Sequence, residues 1–157
     1  MAIKFLKKKN YLAMIENSAS GENRMFRNLY IETDGVVKDL LEDGKNSCAV
    51  FVSSILVLLD NLFHWIQGLH ATVISTEDDM TKSGWYETKD LKSGAILVWE
   101  KKLGHDGKMH KHIGFYIDKN MAISNDSRGT GIPHKHHYTY NDTRKIEKIY
   151  WHAQLDD

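Results

Sequence analysis

Polar and apolar positions change period near the middle of the chain. In residues 3–18, Phe5, Leu6, Leu12, Met14 and Ile15 recur at loosely helical steps and stop before Ser20-Gly21, which predicts a helix. Asp34-Gly35 between Leu29-Tyr30-Ile31 and Val36-Val37 predicts a hairpin, because both turn residues tolerate positive φ. From Cys48 onward, Phe51, Val52, Ile55, Leu58, Leu59 and Leu62 return every three or four residues, the stripe of a buried helix with the cysteine in its first turn. Ser75-Thr76 before Glu77-Asp78-Asp79 predicts a capped short helix ending near Gly84. Beyond Gly84 the runs are short and rich in β-branched and aromatic residues: 94–99, 112–117, 121–124 and 145–151. Helices first and strands afterwards predict an α+β fold, N-terminal helices with the Cys48 helix packed on an antiparallel sheet.

At 157 residues the chain fits one domain, 1–157, with a helix and hairpin in 1–45 and a core in 46–151. Lys plus Arg and Asp plus Glu each number 21, so bulk charge points to no nucleic-acid partner. A single cysteine excludes an internal disulfide framework. The lysines of Met1–Lys9 follow only a very short apolar stretch, unlike a signal peptide, and Asp60, Asn61 and His64 interrupt the longest apolar run. These features predict a cytoplasmic protein without a membrane span.

Cys48 stands where the polar turn Asp43-Gly44-Lys45-Asn46-Ser47 meets the apolar run. A helix beginning there sets free N–H groups and the positive end of its dipole beside the sulfur, which favours thiolate over thiol. His112 heads the strand-like His112-Ile113-Gly114-Phe115-Tyr116-Ile117 and supplies the base that a thiol nucleophile needs. The pairing predicts a Cys48 sulfur within hydrogen-bonding reach of the His112 ring. Six of nine histidines, His105, His110, His112, His134, His136 and His137, fall in two clusters. Such density raises zinc, but His-Lys-His and His-Lys-His-His lack carboxylate or thiolate partners at familiar spacing, so no metal and no cofactor are expected.

Ser47-Cys48-Ala49-Val50-Phe51-Val52, then Ser93-Gly94-Ala95-Ile96-Leu97-Val98, then His112 to Ile117 resemble the NlpC/P60 superfamily of papain-like cysteine hydrolases and the related CHAP amidases. The resemblance covers about residues 46–151. It implies Cys48 as nucleophile, His112 as base and a polar residue on the next strand that orients the imidazole. Ser47-Cys48-Ala49-Val50 stands where the family usually has Asp-Cys-Ser-Gly, and Ala95 where it usually has an acid, so the chain resembles a divergent member. The implied reaction is hydrolysis of an amide bond in a peptide substrate, of peptidoglycan or isopeptide type.

Strand parity narrows the orienting residue, since facing residues of an antiparallel pair share a side of the sheet. A two-residue loop at Lys119-Asn120, or a four-residue loop, places Ile123, Asn125 and Ser127 on the His112 face, whereas a three-residue loop selects Ala122, Ser124 and Asp126. Asn125 is the choice, because an amide oxygen can accept the imidazole N–H, with Asp126 second. Tyr30 is a candidate for substrate or oxyanion contact, and His134 and His136 for contact with an anionic or polar substrate from a loop bordering the cleft. The competing readings are a non-catalytic or metal-binding module on the same scaffold, and a thiol acyltransferase, for which only Leu62-Phe63-His64-Trp65-Ile66 offers an apolar docking segment.

Overall fold

A computed structural model describes residues 1–156. Three helices, α1 (Lys7–Ser18), α2 (Cys48–Phe63) and α3 (Val73–Lys82), accompany eight strands. The strands are β1 (Tyr30–Thr33), β2 (Val36–Asp39), β3 (Trp85–Thr88), β4 (Ile96–Leu103), β5 (Met109–Asp118), β6 (Met121–Asn125), β7 (Pro133–His137) and β8 (Ile146–His152). The pair β1–β2 closes through Asp34-Gly35, both at positive φ. The other six strands form one antiparallel sheet in the order β3-β8-β4-β5-β6-β7. The fold is α+β, with Cys48 as the first residue of α2 and α2 laid across β5 and β6.

Packing explains that placement. Phe51, Val52, Ile55, Leu56, Leu59 and Phe63 form the buried stripe of α2, and Phe51 meets Phe115 of β5 edge to face at 5.5 Å. Tyr11 of α1 closes the same core against Trp65 and Phe115, its hydroxyl donating to the Gly94 carbonyl at 3.0 Å. Burying these aromatics contributes about 2 kcal/mol each, which fixes the helix over the sheet far more firmly than helix propensity does. Leu58 and Leu62, expected in the stripe, are exposed. No helix among the described residues is long and apolar enough to cross a membrane.

Two strands escape the periodicity. Trp85–Thr88 is only four residues long, and Pro133–His137 is a histidine-rich edge strand, where proline is tolerated because one N–H row faces no partner. His134 and His136 therefore sit on a strand and not on a loop. The cap of α3 is Thr72, whose Oγ1 accepts the Ser75 N–H at 3.2 Å, so the helix begins before Ser75-Thr76.

Candidate active site

The site is a cleft of about 850 Å³ at the N-terminus of α2, lined by Cys48, His112, Asn125, His134, Tyr140 and Arg144 among others. Cys48 is half-buried. The Phe51 N–H bonds the Ser47 carbonyl, the first bond of the helix, so the N–H groups of Cys48, Ala49 and Val50 precede the helical ladder. Burial pushes the Cys48 thiol up, opposed by the Ile113 and Ala49 N–H groups and by the Arg144 charge. Burial outweighs them, so the balance favours the thiol, against the thiolate expected from the helix N-terminus alone.

A bulge decides which residue serves His112. Lys119 (φ 46°) and Asn120 (φ 63°) form the two-residue turn, and Asp118 pairs with Met121. One step further Tyr116 pairs with Ala122 and Gly114 with Ser124, so Ile117 is an extra residue on β5 and the parity flips. Ser124 consequently joins the His112 face, and its Oγ lies 2.9 Å from His112 Nε2. Asn125 points to the other face, where its Nδ2 donates to the Gly44 carbonyl at 2.6 Å and to Ser127 Oγ at 3.2 Å. Its buried Oδ1 has no hydrogen-bond partner. The amide pins the turn that leads into Cys48. Gly44 and Gly131 meet at that turn, both at positive φ, and a Cβ on Gly44 would run into the Gly131 carbonyl.

Ser124 Oγ is the hub of a buried polar network. His136 Nε2 lies 2.8 Å from it and the Tyr140 hydroxyl 3.0 Å. Hydrogen-bond bookkeeping assigns the protons. His136 Nδ1 faces the His137 carbonyl at 2.8 Å, and a carbonyl only accepts, so Nδ1 carries the proton. Burial brings the His136 pKa down to about 4, so the ring is neutral and Nε2 must accept from the Ser124 hydroxyl. Having given its one proton, Ser124 accepts from Tyr140 and from His112 Nε2–H. His112 is thereby the tautomer with a bare Nδ1. Burial, then the charges of Arg144, His136 and His134, hold the His112 pKa well below its usual value.

The surroundings lock this arrangement. His112 lies 5.4 Å from the Trp99 ring, and Tyr140 stacks on His136 at 4.0 Å. Tyr140, Asn141 and Asp142 all have positive φ, a left-handed run that disfavours side chains. His137 Nδ1 accepts the Thr139 and Asn141 N–H groups and holds that turn. Gly114 faces Ser124 because a Cβ there would stand 2.6 Å from Ser124 Cβ and 2.7 Å from the Ile123 oxygen.

Cys48 and His112 line one cleft, but no hydrogen bond joins them among the described residues. Phe115 faces α2, and alternation turns His112 the other way, so the sulfur approaches β5 at the Ile113 N–H. Tyr30 is exposed and lies outside the cleft lining. His134 borders the cleft, with Nδ1 3.2 Å from the Ser124 carbonyl, while His136 lies behind Ser124 in the network. Among the described residues no three His, Cys, Asp or Glu side chains group closely enough to hold a metal ion. Sequence reasoning missed Tyr140 and Arg144, and reached Ser124 only within the alternative parity set. Comparison with protein-family models, curated proteins and solved structures finds no match.

Proposed function

We propose that the protein is a papain-like cysteine hydrolase, similar in its core to the NlpC/P60 enzymes, that cleaves an amide bond through Cys48, His112 and Ser124. One observation carries this reading: the Ser124–His136 network leaves His112 Nδ1 without a proton, and His112 lines the same cleft as Cys48, the only thiol of the chain.

No hydrogen bond joins Cys48 and His112 in the free protein, so this reading requires the sulfur to come within reach of the His112 ring when substrate binds, with the Ser124 bond kept. His112 Nδ1 takes the thiol proton while the sulfur bonds to the amide carbonyl carbon. The N–H groups opening α2 stabilise the oxyanion. The tetrahedral intermediate collapses with loss of the C–N bond, and His112 returns its proton to the departing amine. Water, deprotonated by His112, then attacks the thioester; the acid leaves and Cys48 regains its proton. Because the imidazole is neutral at rest, it starts as a base and becomes a cation only in transit, where Ser124 accepts from Nε2–H throughout.

The test is a thiol-reactive acyl activity probe with amide hydrolysis measured in parallel. Cys48→Ser should abolish both signals, and His112→Ala should lower hydrolysis by roughly 10²- to 10⁴-fold. Hydrolysis that survives Cys48→Ser sinks the proposal.

A further inference from the structure

The chain is neutral overall, yet the cleft is not. Six Lys and Arg residues line it, Lys45, Lys101, Lys102, Lys111, Arg128 and Arg144, against one carboxylate, Asp126. The lining thus holds five more Lys and Arg than Asp and Glu side chains. Asp126 is already engaged, accepting the Thr130 N–H at 2.9 Å and the Thr130 hydroxyl at 3.1 Å. Of the six cations only Lys111 has a carboxylate within 4.0 Å among the described residues, Glu147 at 3.2 Å. Lys102 donates to the Thr143 carbonyl and Arg128 to the Leu103 carbonyl.

Arg144 is the member best placed to act on the chemistry. It is half-buried, and its Nε and Nη2 donate to the carbonyls of Glu100 and His110 at 3.0–3.2 Å. Carbonyl dipoles fix the guanidinium without cancelling its charge, and its field reaches Cys48, His112 and Tyr140. A guanidinium held this way beside a nucleophile, with no carboxylate of its own, suits an oxyanion as partner. Five cations without an ion-pair partner, beside the single carboxylate of Asp126, make a concave wall that concentrates anions.

We infer that the cleft binds the anionic part of its ligand, a carboxylate or a phosphate, with Arg144 as the anchor next to Cys48 and Lys45, Lys101, Lys102 and Arg128 as the surrounding field. This deepens the hydrolase reading by giving its substrate a charge. A negative group beside Arg144 also offsets the positive field on His112, so the imidazolium formed during acyl transfer is favoured only when the correct ligand is bound.

Cys48 is the only thiol, so its alkylation reports on the cleft without any turnover. The wild-type protein is treated with iodoacetate and with iodoacetamide, reagents of one mechanism in which the sulfur–carbon bond forms and iodide leaves; the thiolate fraction cancels in the ratio of the two rates. At low salt that ratio should exceed the free-cysteine ratio by roughly tenfold, and it should collapse in high salt. Arg144→Gln and the exposed double variant Lys45→Glu/Lys101→Glu, which breaks no ion pair of the protein, should each lower it. Protection by inorganic phosphate, glutarate and uncharged glutaramide then separates the sources: either anion slowing iodoacetamide supports the inference and names the group. A free-thiol ratio insensitive to the double variant, or protection by glutaramide equal to that by both anions, overturns it. A normal charge ratio with hydrolysis intact removes only the charge assignment, whereas a raised ratio without hydrolysis leaves the anion site and removes the enzyme.

Discussion

Two groups of histidines in this protein meet opposite kinds of partner. His70 donates to Asp79 at 2.6 Å, and His105 and His110 pair with Glu42 and Asp106 at 2.7 and 2.8 Å. His112, His134 and His136 have no carboxylate; their partners are a hydroxyl and backbone carbonyls. In the second group burial holds His112 and His136 below the ordinary imidazole pKa. What the contrast teaches is that a histidine surrounded only by neutral partners and buried can be held in one tautomer, which is what a base requires and what a salt bridge does not provide.

The largest effect should come from the paired side. Asp79 is buried and accepts the Gln67 N–H at 3.0 Å, the Gly68 N–H at 3.2 Å and the Ser83 hydroxyl at 3.1 Å besides His70. Burial raises its pKa, but His70 and these donors outweigh burial and the net shift is downward. Asp79→Ala leaves several donors unmatched at once and should destabilise the fold by about 4 kcal/mol in denaturant titration. A loss below 1 kcal/mol would mean that water replaces the carboxylate and that the clamp is ornamental.

On the neutral side, Ser124→Ala should cost about 2 kcal/mol, because two imidazoles and a phenol lose a common partner. Its sharper readout is the tautomer. Nitrogen chemical shifts should show His112 protonated at Nε2 in the wild type and a mixture in the variant. An Nδ1–H tautomer in the wild type would break the proton assignment and with it the proposed role of His112 as a base toward Cys48.

How much of this was legible in the residues differs between the two halves of the network. The Cys48 helix, the Asp34-Gly35 hairpin and the His112 strand follow from period and turn chemistry, and the α+β layout follows from their order. Ser124 did not. The two-residue turn at Lys119-Asn120 is one of the loop lengths the residues leave open, but the extra residue at Ile117 reverses the parity that goes with it, and no glycine or other bulge signature marks Ile117. Asn125 was chosen on side-chain chemistry, while the register gave the place to its neighbour. Tyr140 and Arg144 come from the connection between β7 and β8, which carries no periodicity, so their arrival at the cleft is a tertiary fact. A histidine-rich edge strand likewise has too little apolar alternation to announce itself.

Acid should separate the two groups in a further way. A residue whose folded pKa lies below its unfolded value stabilises fully above the unfolded pKa and loses that contribution as pH falls through the folded one. For His136 the window runs from about 6.5 to about 4, worth at most roughly 3 kcal/mol before discounting its partial exposure, and His112 and His152, also lowered by burial, act in the same direction. Asp79 loses its contribution only below about pH 4, the unfolded carboxylate value. Stability measured against pH should therefore fall in two stages. His136→Gln should shrink the first and leave the second. A curve that is level down to pH 4 would show that the histidine network takes up protons without cost, contradicting its neutral state.

The smallest effect belongs to the exposed pairs. His105 with Glu42 and His110 with Asp106 lie within 0.2 Å of the part-buried His70 contact, so distance alone would rank all three together. Both exposed histidines keep water around the ring, and screened pairs at a surface gain little from contact. His105→Gln and His110→Gln should leave the unfolding midpoint unchanged within error at ordinary salt, even though each removes a short hydrogen bond. If either lowered it as much as Ser124→Ala, burial would not be what distinguishes the two groups, and the neutral environment of His112 would lose its claim to be a device for chemistry.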